Sequence, residues 1–326
     1  MRKHRLGRTG LEVSEIVFGG GWVGGILIDK DDDTRRAAVK RAFEAGVNWI
    51  DTAPAYGNGK SEEALGWLLP EQDVEPQLST KVALDLDGLD DCLGQVERSL
   101  AGSLSRLRRK RVDLLFLHTQ IGSETSGDKI GVADLLANGG VADALDAMRD
   151  RGLVGAIGLT ALGETSAVCE ALASGRFDAA QVYYNLLNPS AGRAMPPAWT
   201  GQDLGGIIGT CKDNDVGVMN IRTLAAGVIA TDTRTGREVP LTPGFELAEE
   251  ERKAHETFDV LGLEFGTRPQ TAIRFSLSHP DIDCVAVGLA EYRHLEEAIT
   301  AAEMGPLPKA ALDKLEGLYA NDFGRV

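Results

Sequence analysis

The chain predicts an α/β fold, a single (β/α)8 TIM barrel with a short N-terminal β-hairpin and long loops at the C-terminal face. Three observations carry this. Short apolar runs of β type alternate with helical-period segments almost from end to end. The alternation meets no composition break or linker, so residues 1–326 read as one domain. With 326 residues and 43% hydrophobic content the chain can bury one large core.

Taken in order, residues 2–14, with "LGRTGLEV", suit a hairpin closing the barrel floor, and "EIVFGG" (15–20) is the first strand. The glycines that follow, "GGGWVG" (19–24), fit G-x-G-x-x-G. A dinucleotide fingerprint needs a helix to begin within that run, so that the pyrophosphate meets its N-terminus. Here "GILIDKDDDT" intervenes, and the helix is expected only near residue 32, which favours a glycine-rich cleft floor beside Trp22. The segment "DDDTRRAAVKRAFEAG" (31–46) carries acids and a threonine at its start and a glycine at its end, the usual helix boundaries.

Strands follow at "NWID" (48–51), "QLSTKVAL" (77–84), "VDLLFLH" (112–118), "VGAIGLT" (154–160), "AAQVYYN" (179–185), "VGVMNI" (216–221) and "DCVAVG" (283–288). Continuous apolar runs of this kind suit strands buried on both faces, as in a parallel sheet. Helices are expected over 89–107, 141–152, 163–175 and 291–303. Residues 119–140 and 223–247 read as long loops, a length that usually carries function.

A net charge of −15 argues against nucleic acid or an anionic membrane as the main partner, since both need a basic face. No run approaches the roughly 20 apolar residues of a membrane span, and the opening "MRKHRLGRTGLEV" lacks the apolar core of a signal peptide. Cys92, Cys169, Cys211 and Cys284 lie far apart without a C-x-x-C pair, which fits free thiols in a reducing, cytoplasmic setting. The histidines are equally scattered, with no metal-ligand spacing. A homo-oligomer is compatible with the chain.

In a barrel, chemistry sits where strands end at the C-terminal face. Asp51 ends the second strand, Lys81 lies in the third, His118 ends the fourth, and Tyr56 follows Asp51 on the next loop. A phenol of pKa about 10 is a poor proton donor at neutral pH. A nearby ammonium lowers that value, and a carboxylate holds the ammonium charged and in place. An imidazole can orient a substrate carbonyl. Together these groups suit protonation of a carbonyl oxygen as hydride arrives, or the reverse.

"NWIDTAPAYGNGKSEEALG", "LSTKV" and "RVDLLFLH", in this order, resemble the signature segments of the aldo-keto reductase family. "RLGRTGLEVSEIVFGGG" resembles its hairpin and first strand, and "QVYYNLLN" (181–188) its sixth strand. The resemblance implies a catalytic tetrad in which Tyr56 is the general acid, Lys81 tunes it, Asp51 supports Lys81 and His118 orients the substrate. It further implies a nicotinamide dinucleotide lying across the barrel mouth. Thr160 and Gln181 would hold the carboxamide, with Ala161 where an asparagine is common. Ile221 would stand against the nicotinamide, and Arg222, Leu224 and the small residues through Gly227 would clamp the pyrophosphate. Gly288, Arg293, His294 and Glu297 fall at the adenosine 2′-phosphate site. Family habit favours NADP(H) over NAD(H), although Gly288, Leu289 and His294 depart from the basic pattern that a 2′-phosphate wants.

The substrate would be a small-molecule carbonyl or its alcohol, walled by Trp22, Tyr56, His118 and Trp199, and a sugar suits polar Thr119 and Gln120. The expected activity is that of an NAD(P)-dependent alcohol (aldose) dehydrogenase. Two other readings compete: a lyase or aldolase using Lys81 as a Schiff-base amine, and a non-catalytic nucleotide-binding subunit.

Overall fold

Eight of the apolar runs become the staves of a closed parallel barrel. The computed structural model describes residues 1–21, 23–238 and 246–325, so Trp22 and residues 239–245 of the second long loop lie outside the described residues. In chain order the strands are β1 (Lys3–Arg5), β2 (Glu12–Ser14), β3 (Ile16–Gly19), β4 (Trp49–Asp51), β5 (Gln77–Val82) and β6 (Val112–Leu117). They continue with β7 (Gln120–Gly122), β8 (Lys129–Gly131), β9 (Val154–Thr160), β10 (Ala179–Tyr183), β11 (Gly217–Ile221) and β12 (Cys284–Gly288). The barrel order is β3-β4-β5-β6-β9-β10-β11-β12, closing back on β3.

The period of two along each stave separates lumen from wall. Val17, Trp49, Leu114, Phe116, Ala156, Ala179, Met219 and Cys284 form one cluster inside the barrel. Their neighbours Ile16, Phe18, Ile50, Leu115, Ile157, Val182, Val218 and Val285 pack outward in the larger core under the helices. The lumen is thus filled with side chains in its lower layers, and only the residues one or two steps further up each stave reach the open end.

Hairpin β1–β2 closes the floor, as expected, with Leu6 and Val13 completing the inner cluster. Gly7 in the hairpin turn has φ +46°, and a Cβ there would lie 2.1 Å from the Gly217 nitrogen, so the close approach requires glycine. At the same end, aspartates take backbone N–H groups of neighbouring staves: Asp113 from Leu78, Asp178 from Ile157 and Asp283 from Val218.

The helices are α1 (Ile26–Asp29), α2 (Asp32–Glu44), α3 (Lys60–Leu68), α4 (Cys92–Leu107), α5 (Val132–Leu136) and α6 (Val141–Asp150), then α7 (Thr165–Ala173), α8 (Ile207–Asp213), α9 (Leu247–Leu261), α10 (Arg268–Leu277), α11 (Tyr292–Met304) and α12 (Lys309–Ala320). In α2, Asp31 caps Thr34 N and Asp32 and Asp33 face the positive end of the helix dipole. The glycine run is followed by the one-turn α1 rather than by plain loop, but β3 pairs with β12 and β4 inside a closed barrel, not in an open doubly wound sheet. Gly24 belongs to packing: a Cβ there would lie 2.4 Å from the Leu289 carbonyl oxygen.

The stretch 119–140 is more ordered than a loop. It holds β7, β8 and α5, and the two three-residue strands pair in parallel. Glu164 braces it, accepting from Ser123 N and Oγ and pairing with Lys129, which holds its carboxyl at about 2.

Candidate active site

Alternation along the staves delivers the site. Counting upward by two, Trp49 leads to Asp51, Ser79 to Lys81, Phe116 to His118, Ala179 to Gln181 and Met219 to Ile221. All therefore point toward the axis at the open end.

Asp51 and Lys81 meet there. In the β4–β5 register Asp51 lies opposite Ser79, and Lys81 stands one step higher. Its ammonium donates to Asp51 Oδ2 at 2.6 Å and to the Thr52 carbonyl at 2.9 Å. The other carboxylate oxygen, Oδ1, accepts from Ser79 Oγ at 2.7 Å and from Gln181 Nε2 at 2.9 Å, while Trp49 Nε1 donates to Ser79 Oγ at 3.0 Å. Lys81 is 1% exposed and Asp51 4%. Taking two charges out of water is costly unless their remaining hydrogen-bond capacity is filled, and these donors fill it. Burial pushes the Lys81 pKa down, but Asp51 and Tyr56 more than offset it, and the amine is held above its ordinary value.

Tyr56 hangs over this pair. The Lys81 nitrogen lies 4.7 Å from the centre of its ring. The loop bearing it is anchored at both ends: Thr52 Oγ1 and Ser61 Oγ are 2.8 Å apart, and buried Glu62 accepts from Thr80 Oγ1 at 2.6 Å and from Arg106 Nε at 2.7 Å. The segment "KSEEALG" thus pins α3 to β5 and α4. The sequence leads one to expect a phenol shifted down by the ammonium. Here burial outweighs Lys81 and Arg222, and the Tyr56 pKa stands above its ordinary value.

His118 follows β6, its backbone N–H bonded to the Val82 carbonyl at 2.7 Å. Its ring meets that of Tyr56 edge-on, centroids 6.3 Å apart. Burial, then the Lys81 charge, lowers its pKa to about 4, against Asp51, so the imidazole is neutral at pH 7.

Around the mouth lie groups whose bonding capacity is unfilled. Thr160, paired in register with Gln181, has a buried hydroxyl with no hydrogen-bond partner. Arg222 has φ +60°, and its carbonyl accepts from Asn185 Nδ2 at 2.9 Å. Its largely buried guanidinium meets no carboxylate among the described residues, and burial lowers its pKa. Ala225, Ala226 and Gly227 continue in left-handed conformation at φ +45°, +58° and +99°, and Gly227 N–H bonds the Leu224 carbonyl at 2.8 Å. Strained backbone of this kind persists where surrounding structure enforces it, commonly at ligand sites. An orphan hydroxyl and an uncompensated cation are what a carboxamide and a pyrophosphate would satisfy. Thr160, Gln181, Arg222 and the turn through Gly227 therefore fit a nicotinamide dinucleotide. Ile221 is partly exposed at the top of β11.

The far end of the expected cofactor site is different. Gly288 is exposed, with open space where a side chain would be. Arg293 is bound to Glu291, Nε to Oε2 at 2.7 Å. His294 Nδ1 accepts from Ala290 N at 3.3 Å, and Glu297 accepts from Thr267 Oγ1 at 3.2 Å. Trp199 packs against Phe323 and Lys253 in the roof. Expected contributor Trp22 lies outside the described residues.

Sequence reasoning passed over Ser79 and Glu62. Ser79 shares the inward parity of Lys81, a signal the alternation contained; Glu62 could be recognised only once its partners Thr80 and Arg106 were in place. Among the described residues no group of three or more His, Cys, Asp or Glu is placed to hold a metal ion, and none of their helices is long and apolar enough to cross a membrane.

A model of the Aldo/keto reductase family matches residues 15–320. The chain is 26% identical to L-galactose dehydrogenase of Arabidopsis thaliana, over 96% of this chain and 92% of that protein. It is 27% identical to D-threo-aldose 1-dehydrogenase of a Pseudomonas species, over 68% and 69% of the two chains. In structure it is similar to an aldo-keto reductase from Bacillus halodurans in its holo form, with a TM-score of 0.73, 20% identity, and coverage of 98% of this chain and 96% of that one.

Proposed function

Because this chain belongs to the aldo/keto reductase family, we propose that it interconverts an aldehyde or ketone and its alcohol with a nicotinamide dinucleotide, Tyr56 carrying the proton. One observation supports this above the others: the buried Lys81–Asp51 pair directly beneath the Tyr56 ring. The hydride comes from, or goes to, the nicotinamide ring of that cofactor when bound.

The residues then act on the oxygen. In reduction the Tyr56 phenol gives its proton to the carbonyl oxygen; in oxidation its phenolate takes the proton back from the alcohol. Lys81, held charged by Asp51, steadies the phenolate. Neutral His118 donates a hydrogen bond to the same oxygen and fixes its direction. Thr160, Gln181, Arg222, Leu224 and Gly227 would hold the cofactor's nicotinamide and pyrophosphate.

For the cofactor we favour NAD(H), reversing the family-habit expectation. Arg293, the cation beside the adenosine site, is engaged by Glu291, which would also face a 2′-phosphate with a negative charge. For the substrate, the two sugar dehydrogenases among its relatives support an aldose. The unpaired cysteines support a cytoplasmic setting.

The Schiff-base reading loses ground on the geometry. An amine with 1% exposure, bonded to Asp51 and the Thr52 carbonyl and raised in pKa, is a poor nucleophile. The test is Tyr56→Phe assayed with a panel of aldehydes and aldoses, beside fluorescence titration of NADH. Lost turnover with dinucleotide affinity retained is expected; retained turnover rejects the role.

A further inference from the structure

The roof over the C-terminal end of β10 holds a second buried polar cluster, formed by segments far apart in the chain. Lys253 of α9 is 3% exposed. Its ammonium lies 5.0 Å from the Trp199 ring centre and 5.5 Å from that of Phe323, and 3.9 Å from Glu250 Oε1 one turn back on the helix. Trp199 and Phe323 pack against each other with centroids 6.2 Å apart. Next to Phe323, fully buried Asp322 accepts from Thr200 Oγ1 at 2.7 Å. The tail is strapped down around this cluster. Arg252 Nη1 donates to the Phe323 carbonyl at 2.6 Å, Arg325 pairs with Glu249 at 2.8 Å, and Tyr319 OH bonds the Leu186 carbonyl at 3.1 Å.

What sets the cluster apart is what it leaves undone. Glu250 Oε2, Asp322 Oδ1 and Trp199 Nε1 are all buried and all lack a hydrogen-bond partner. Native interiors rarely tolerate one such atom without a reason, and here two acceptors and a donor share one roof. Asp322 and Phe323 also adopt left-handed backbone, φ +47° and +55°. The cluster lies over the top of β10: Tyr319 of the same tail segment bonds the carbonyl of Leu186, three residues beyond Tyr183, which ends that stave two positions above Gln181.

We propose that Glu250, Asp322 and Trp199 form a subsite for the distal hydroxyl groups of a polyhydroxylated substrate. Two carboxylates accept from vicinal hydroxyls, the indole N–H and the Lys253 ammonium donate to their oxygens, and the aromatic faces cover the C–H surface of the sugar. An apolar aldehyde would leave Glu250 Oε2, Asp322 Oδ1 and Trp199 Nε1 without partners. This subsite rests on the carbonyl–alcohol reading above and assigns its substrate class to side chains.

The test compares reduction of L-galactose and hexanal, two six-carbon aldehydes differing in hydroxyls, by wild type, Glu250→Gln and Asp322→Asn. Both changes keep shape and remove a buried carboxylate charge, one oxygen of which has no partner, so circular dichroism should show a folded protein. The L-galactose-to-hexanal ratio of kcat/KM is expected to fall about tenfold or more in each variant, the loss lying in KM. Separately, calorimetric titration of galactitol with NADH present should show binding to wild type that weakens by a similar factor in both variants. An unchanged ratio, equal losses for both aldehydes, or no galactitol binding to wild type would overturn the subsite. Galactitol binding without turnover of either aldehyde would instead overturn the oxidoreductase reading and leave the subsite standing.

Discussion

Gln181 and Asp51, 130 residues apart in sequence, share a 2.9 Å hydrogen bond across the barrel lumen. The amide expected to contact the cofactor is therefore also a brace of the carboxylate that holds Lys81. Gln181→Ala should weaken dinucleotide binding and also destabilise the fold by about 1–3 kcal/mol, since a hydrogen bond to a buried carboxylate is lost. Urea denaturation without cofactor separates the two effects, and unchanged stability would show the bond to be idle.

Lys81→Met should reduce kcat on the order of 10²- to 10⁴-fold. It also strands Asp51, so stability should drop by about 3–5 kcal/mol. Asp51→Asn combined with Lys81→Met should recover much of that stability and none of the activity. A double-mutant cycle on stability and kcat checks the split.

The proton chemistry has a pH signature. The Tyr56 pKa is raised, chiefly by burial, so the phenol keeps its proton through neutrality and beyond. Alcohol oxidation, which needs the phenolate, should therefore keep climbing with pH well past neutrality. His118, lowered to about 4, should add no limb near 6.5 to the reduction profile. The stability sign follows from the same shift. The folded pKa lies below the unfolded one, so His118 stabilises fully above about 6.5. That contribution is lost as pH falls toward 4. Its size is on the order of 3 kcal/mol. Comparing stability at pH 7 and pH 4.5 in wild type and His118→Gln measures it; equal losses would contradict the buried neutral imidazole.

Glu291→Ser frees Arg293 and removes a carboxylate from beside the expected 2′-phosphate position. The NADPH-to-NADH affinity ratio should rise about tenfold or more, read by fluorescence titration. A ratio that stays put would mean that the Arg293–Glu291 pair has no part in cofactor choice.

Much of this is legible in the sequence. Each of the eight staves falls within its apolar run, because burial on both faces imposes a signal that survives without tertiary knowledge, and the hairpin, whose first strand is exposed, falls within residues 2–14. Polarity at strand ends marks Asp51 and His118, and a charge inside an apolar strand marks Lys81. The helices α3, α8, α9, α10 and α12 lie outside the segments that the chain marks as helical. The α10 helix begins at a capping box, Thr267 with Gln270, and has Pro269 in its first turn, boundary features that carry no apolar-run signal. Strands β7 and β8, three residues each, are too short to show alternation. The roof cluster was illegible for a different reason: Glu250, Lys253 and Asp322 look like ordinary helix and tail charges until α9, the Trp199 loop and the C-terminus are brought together. The Tyr56 shift runs opposite to the sequence expectation because desolvation, which outweighs the Lys81 charge, depends on the packed surroundings rather than on neighbours in the chain.

The aspartates at the barrel floor carry a last consequence. Asp113, Asp178 and Asp283 each fasten the entrance of an adjoining stave, and staves can slide only in single-residue steps that invert every side chain. Were β5 to slip by one, Thr80 and Val82 would turn into the lumen and Lys81 would swing out among the helices, with the barrel wall between amine and phenol. Alignment at the mouth is thus set by carboxylates at the opposite pole, and damage there should silence the chemistry from the far end of the molecule.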